Sequence, residues 1–182
     1  MTDAAELLIL GLGNVLFGDD GLGVIAVASL KERYEIPDGV CALDGGTLGL
    51  SLLPLLQQSR RALLVDAIRC PGVAPGSLVR LDGAEVGPAA RERLSPHQVG
   101  VADLLDSAQL LGGNPAEVTL LGLVPEMMEW SVGRSRAVGD GMESLIEAIV
   151  HEVESLGYPM LERSQAGAGA RPDRTFARHF GM

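Results

Sequence analysis

The chain alternates between short, wholly apolar runs and longer segments in which apolar residues recur at helical spacing. The runs predict five strands, at residues 7–10, 40–43, 62–65, 78–81 and 118–124. The helical spacing predicts four helices, at residues 21–33, 48–58 (interrupted by Pro54), 95–105 and 140–156. Strands that are apolar throughout and alternate with helices are typical of a mostly parallel sheet covered on both faces.

The fourth strand, residues 78–81, follows the third after a connection that is short for a helical crossover. We therefore expect it to run antiparallel at an edge of the sheet. The prediction is an α/β fold: a three-layer α/β/α sandwich around a mixed, mostly parallel, twisted five-stranded sheet. Residues 1–156 form one domain in this interpretation, and the Gly-, Ala- and Arg-rich residues 157–182 are a disordered basic tail.

Composition narrows the range of partners. The formal net charge of −10 opposes binding to the phosphates of nucleic acids. No apolar run is long enough to span a membrane, and the first residues lack the features of a secretory leader. The two cysteines, Cys41 and Cys70, supply neither a disulfide framework nor a thiolate metal site. We expect a cytoplasmic monomer that binds neither nucleic acid nor membrane.

Candidate chemistry lies where the strands end. Asp19 and Asp20 follow the first strand, Asp66 ends the third, and His97 opens a helix after Ser95-Pro96. Ligands of open α/β sheets bind beyond the carboxyl ends of the strands. Two carboxylates and a neutral imidazole suit a first-row divalent metal ion.

Each of these residues also has a structural interpretation. An aspartate in the first helical turn caps the helix, and an aspartate at a strand end begins a turn. A single histidine near a helix start is more often structural than functional. The loop around Asp19 and Asp20, taken alone, leaves capping and function equally open.

Other site classes fit less well. Gly11-Leu12-Gly13 begins like the dinucleotide fingerprint G-x-G-x-x-G, but Leu16 replaces the third glycine. Asp19 and Asp20 lie where a pyrophosphate would bind, which is electrostatically unfavourable. A nucleotide-binding module is therefore a less favoured alternative. The sequence contains no H-E-x-x-H or G-x-S-x-G motif, so a conventional zinc protease and an α/β-type serine hydrolase are unsupported.

Four blocks in order, between about residues 7 and 156, resemble the [NiFe]-hydrogenase maturation endopeptidases. The blocks are residues 11–23 (GLGNVLFGDDGLG), 44–47 (DGGT), 65–67 (VDA) and 95–98 (SPHQ). The resemblance implies an endopeptidase that removes the C-terminal extension of the hydrogenase large-subunit precursor after nickel insertion. It also implies that the enzyme recognises nickel carried by this substrate. A non-catalytic, nickel-dependent chaperone of the large subunit is the alternative from another class.

The resemblance assigns both the catalytic and the nickel-contacting roles to Asp20, Asp66 and His97. Many family members have Glu at the position of Asp20, so the side chain here is shorter than is usual in the family. Asp19 is then the expected helix cap, and Asp44-Gly45-Gly46-Thr47 is expected to shape the peptide groove. The sequence leaves open whether nickel is catalytic, or only recognised while aspartates activate water as in an aspartyl-type protease.

Overall fold

The computed structural model describes residues 5–87, 101–113 and 115–163. All five predicted strands are present: β1 (Leu7–Leu12), β3 (Val40–Gly46), β4 (Arg61–Ala67), β5 (Leu78–Asp82) and β6 (Glu117–Leu123). They form one sheet in the order β3-β1-β4-β6-β5. Strands β3, β1, β4 and β6 are parallel to one another, whereas β5 runs antiparallel to β6 at the edge of the sheet. The mixed sheet and its antiparallel edge strand are therefore confirmed.

Helices cover both faces of the sheet because successive strand residues point to opposite sides. Leu7 and Ile9 of β1 join one apolar cluster, and Leu8 and Leu10 join the other. The first cluster contains residues of α1 (Leu22–Arg33) and α4 (Arg136–Ser155). The second contains residues of α2 (Leu53–Gln57) and α3 (Val101–Leu110). This is the predicted three-layer arrangement.

Helix α3 continues to Leu110 rather than ending at residue 105, and α2 and α4 differ from the prediction for local reasons. Pro54 occupies the first turn of α2, where its missing N–H has no intrahelical partner to lose. A 3-10 turn, Gly49–Leu52, forms the preceding part of the predicted helix. Helix α4 begins four residues earlier than expected because Ser135 caps it, accepting a hydrogen bond from the Val138 N–H (3.2 Å). All five predicted core residues of this helix are buried: Met142, Leu145, Ile146, Ile149 and Val153.

Regular structure continues beyond residue 156, the predicted end of the domain. Strand β7 (Leu161–Glu162) pairs antiparallel with β2 (Tyr34–Glu35), which directly follows α1. Met160 is buried in the core, and the Arg163 N–H donates to the Arg33 carbonyl (2.7 Å). Two-residue strands are too short to leave a periodic signal in the sequence. The rest of the predicted tail, residues 164–182, lies outside the described residues.

Two further observations concern the described ranges. No helix within residues 5–87, 101–113 and 115–163 is both long and apolar enough to cross a membrane. Cys41, which is buried in β3, and Cys70 are not joined in a disulfide.

Candidate functional site

The strand order creates a crevice at the carboxyl ends of β1 and β4. Strand β1 lies between β3 and β4. The chain therefore passes from β1 to the strand on one side of it, β3, and then crosses to the strand on its other side, β4. The loops that follow two such strands diverge to opposite faces of the sheet, which opens a ligand site between them. Asp20 lies in the loop after β1, and Asp66 lies at the end of β4. The fold thus brings two of the three predicted site residues to one crevice.

Asp20 lies in a 3-10 turn, Gly18–Gly21, that leads into α1. Its side chain is 3% exposed, and its Oδ2 accepts a hydrogen bond from the Asn14 N–H (2.8 Å). Two glycines allow the backbone to pack this closely. A Cβ on Gly13 would lie 1.8 Å from the Asp20 carbonyl oxygen, and one on Gly23 would lie 2.1 Å from the Val65 carbonyl oxygen. Because Gly13 and Gly23 have no side chains, the 3-10 turn with Asp20 and the start of α1 lie close to the end of β4.

Asp66 is fully buried in β4, next to Val65, which pairs with Gly11 of β1. Its Oδ1 accepts a hydrogen bond from the N–H of Ala67 (2.7 Å). The prediction that the third strand ends at Asp66 is close, because β4 extends one residue further, to Ala67. Burial of this carboxylate at a strand end is consistent with a site residue, because a simple turn-forming aspartate is normally exposed to solvent.

The predicted capping role of Asp19 is wrong. Neither the 3-10 turn nor α1 has a side-chain cap. The Asp19 carboxylate is fully buried and reaches across to the loop that joins β6 to α4, residues 124–135, here called the β6–α4 loop. Its Oδ2 accepts from the N–H groups of Glu126 (2.8 Å) and Met127 (2.7 Å), and its Oδ1 from that of Ser135 (2.6 Å). Asp19 is therefore an anchor for a distant loop.

The β6–α4 loop is the part of the site surroundings that the sequence did not indicate. Its backbone pairs with the first loop: the Gly18 N–H donates to the Ser131 carbonyl (3.0 Å), and the Ser131 N–H donates to the Leu16 carbonyl (3.1 Å). The rings of Phe17 and Trp130 meet edge to face with centroids 5.6 Å apart. Trp130 is nevertheless 77% exposed. The only sequence signal is a tryptophan within a stretch that mixes apolar and polar residues without a period.

The DGGT block occupies the carboxyl end of β3, on the other side of the first loop. Asp44 and Thr47 are exposed, and the Gly13 N–H donates to the Gly46 carbonyl (3.0 Å). The β1–β3 register shifts at this point, so that Leu12 pairs with Gly46 rather than Gly45. The block borders the first loop, as its predicted place in a peptide groove requires, and the groove itself stays a prediction.

The third predicted site residue, His97, lies outside the described residues, as do Ser95 and Pro96. Within the described part of the chain, no three His, Cys, Asp or Glu side chains are close enough together to hold a metal ion. Asp20 and Asp66 supply two carboxylates, and a mixed oxygen and nitrogen set needs an imidazole beside them. The nickel-contacting role of the three residues stays a prediction.

Comparison with known proteins identifies the class of enzyme. Residues 24–152 match the family model described as hydrogenase maturation protease. The Hydrogenase 2 maturation protease of Escherichia coli K12 is 35% identical over 158 residues, which are 87% of this chain and 96% of that protein. The hydrogenase expression/formation protein HupD of Rhodobacter capsulatus is 38% identical over 155 residues, or 84% of this chain and 73% of that protein.

A solved structure agrees with these matches. The hydrogenase maturating endopeptidase HybD from Escherichia coli superposes with a TM-score of 0.82 at 35% identity, covering 88% of this chain and 99% of that chain. This chain therefore belongs to the hydrogenase maturation protease family. The predicted family, fold class and enzyme class are confirmed, and the protein is a hydrolase that cleaves peptide bonds.

Proposed function

We propose that this protease removes the C-terminal extension of the large-subunit precursor of a [NiFe] hydrogenase after nickel has been inserted. One observation carries the proposal: Asp20 and Asp66 are buried at the crevice between β1 and β4 in a member of the hydrogenase maturation protease family. The substrate is thus a folded protein that presents a metal centre and a chain end to this crevice.

Asp20, Asp66 and His97 are the proposed contacts to the nickel that the precursor carries. Two carboxylates and one imidazole match the ligand preferences of a borderline divalent ion and leave positions for the precursor's own ligands. Burial favours such a contact, because a cation compensates for the cost of removing two carboxylates from water. Nickel is substrate cargo in this proposal: the precursor carries it to the protease.

The residues have separate tasks in the proposed reaction. Contact with the nickel fixes the precursor so that the scissile bond lies over the crevice, which lowers the entropic cost of the reaction. A carboxylate beside the bond takes a proton from the attacking water and returns it to the leaving amine. Nickel, when it lies close to the scissile carbonyl, polarises that carbonyl as a Lewis acid. Asp44-Gly45-Gly46-Thr47 borders the peptide on the β3 side.

The setting of the reaction is part of the proposal. A protease that acts on a precursor during cofactor assembly works where the precursor is made, so we place it in the cytoplasm.

The site is tested by cleavage of purified nickel-loaded precursor, with the shortened product measured by intact-protein mass spectrometry. We expect Asp20→Asn and His97→Ala to lower the cleavage rate at least about 100-fold. Matched controls are Asp38→Asn and His151→Ala, both exposed and remote in sequence from the site residues, which should cleave at the wild-type rate. Wild-type cleavage by both site variants would exclude the assigned residues.

A second arm separates nickel recognition from proteolysis. Precursor purified from cells starved of nickel should remain uncut by the wild-type enzyme and become a substrate after nickel is restored. Equal cleavage of both forms would remove nickel from the recognition step and leave the protease assignment intact. A stable complex with nickel-loaded precursor and no shortened product would instead favour the chaperone alternative.

A further inference from the structure

We infer that Asp19 is a positioning residue, which holds the β6–α4 loop as one wall of the substrate site. This inference rests on the proposed function of the crevice and concerns how substrate is held there. Asp19 adjoins Asp20 in the chain, but its carboxylate points to the other loop and accepts three backbone N–H groups there. The Asp19 N–H also donates to the Met127 carbonyl (2.9 Å).

The loop needs such an anchor. Residues 124–135 form neither helix nor strand, apart from a single bridge between Ser131 and Phe17. Backbone N–H groups without regular structure require other partners when they are removed from water. The Asp19 carboxylate satisfies three of them at both ends of the loop, near residue 126 and at Ser135. The side chain of Asp19 therefore ties both ends of the loop to the same point, in addition to the backbone bonds at Ser131.

The anchored loop presents apolar surface beside the crevice. Trp130 and Val132 are 77% and 86% exposed, and Val15 and Leu16, on the paired first loop, are 44% and 52% exposed. Apolar side chains that cluster on the surface around a site are typical of a binding surface. Val15 and Leu16 lie on the same loop as Asp20, which places this apolar surface near the proposed site. Its occupant in this proposal is the precursor polypeptide next to the scissile bond.

Asp20 has a hydrogen-bond donor within the first loop. Its carboxylate accepts from the Asn14 N–H, which belongs to the first loop itself. Loosening the β6–α4 loop should therefore weaken precursor binding and leave the catalytic carboxylate in place. The proposal thus predicts a rise in KM with little change in kcat, which separates Asp19 from Asp20.

The test compares Asp19→Asn, which keeps the side-chain volume but replaces an acceptor by a donor, with wild type on nickel-loaded precursor. We expect KM to rise about 10-fold and kcat to change less than about 3-fold, at a temperature where both proteins are folded. Glu143→Gln is the matched control. It removes a carboxylate of α4 that accepts from Arg33 of α1, away from the site. Its KM should be that of wild type.

Trp130 supplies a second readout because it is the only tryptophan in the chain. Asp19→Asn should change its emission and its quenching by acrylamide, while Glu143→Gln should not. Wild-type KM and emission in Asp19→Asn, or the same changes in both variants, would overturn the proposal.

Trp130→Ala covers the case in which Asp19→Asn fails to fold, since the exposed tryptophan adds little to the core. Trp130→Ala should raise KM about as much as Asp19→Asn does and leave kcat nearly unchanged. A wild-type KM in Trp130→Ala would also overturn the proposal. Failure of the proposed function is distinct, because it appears as the absence of any shortened product when wild-type enzyme is given nickel-loaded precursor.

Discussion

Helices α1 and α4 are joined by carboxylates at two places that differ in almost every respect. At the crevice, buried Asp19, just before α1, accepts three backbone N–H groups, the last from Ser135 at the start of α4. At the far end of α1, Arg33 and Glu143 form a two-pronged ion pair, with both N···O distances 2.7 Å. The side chains of this pair are 39% and 57% exposed.

The difference lies in what is lost when each contact is removed. Water replaces the partner of an exposed charge at little cost, so surface ion pairs contribute little to stability. Buried N–H groups deprived of their acceptor have no such replacement. The short distances of the Arg33–Glu143 pair therefore say less about stability than the burial of Asp19 does.

Of the substitutions at these two places, Asp19→Ala should lower the stability of the protein most. It leaves three N–H groups without their acceptor and should lower the free energy of unfolding by about 3–5 kcal/mol. Chemical denaturation monitored by circular dichroism measures this loss. A loss no larger than that of Glu143→Gln would mean that the buried contacts of Asp19 stabilise the fold no more than the exposed ion pair does.

Ser135→Ala should have an intermediate effect. It removes the hydroxyl that accepts from Val138 and leaves the Ser135 N–H bond to Asp19 intact. Loss of a helix cap costs about 1 kcal/mol. Denaturation of the single variants and of Asp19→Ala/Ser135→Ala would show whether cap and anchor act together, and strictly additive losses would mean that they do not.

Glu143→Gln should have the smallest effect, and one that depends on pH. The hydrogen bond from Arg33 holds the pKa of the Glu143 carboxyl below its ordinary value of 4.5. A carboxyl whose pKa is lowered on folding stabilises the protein above its unfolded pKa and loses that contribution as pH falls through its folded pKa. The variant should therefore melt about 1–3 °C below wild type at pH 7.

The difference in melting temperature should shrink below pH 4.5 and also in 1 M salt, which screens exposed charges. Thermal scans of both proteins across these conditions measure it. A difference that persists at low pH and high salt would mean that Glu143 stabilises the fold by packing rather than by charge.

The fold was predictable wherever apolar runs were long. The strands of the main sheet and the core face of α4 follow from periodicity, because burial on both faces demands continuous apolar residues. The early start of α4 was missed because Gly139 and Gly141 weaken the helical pattern behind the Ser135 cap. The pairing of β2 with β7 joins residues that are 126 and 128 positions apart in the chain, and two-residue strands carry no period.

The candidate site was predictable only in part. Asp20 and Asp66 follow from their places after strands, since parallel strands align their carboxyl ends. The role of Asp19 was not predictable, because its acceptors meet backbone N–H groups 107 to 116 residues away, and any residue but proline supplies such a group. For the same reason, the β6–α4 loop has no sequence motif of its own.

The pairing of β2 with β7 has a practical consequence for surface attachment. Strand β1 begins at the amino edge of the sheet, and α1 returns the chain to that edge, where Arg163 contacts Arg33 and Tyr34. Ala5 and Arg163 therefore lie away from the crevice at the carboxyl edge. Enzyme coupled to a bead through a residue of this face should hold the crevice outward, accessible to a large folded precursor.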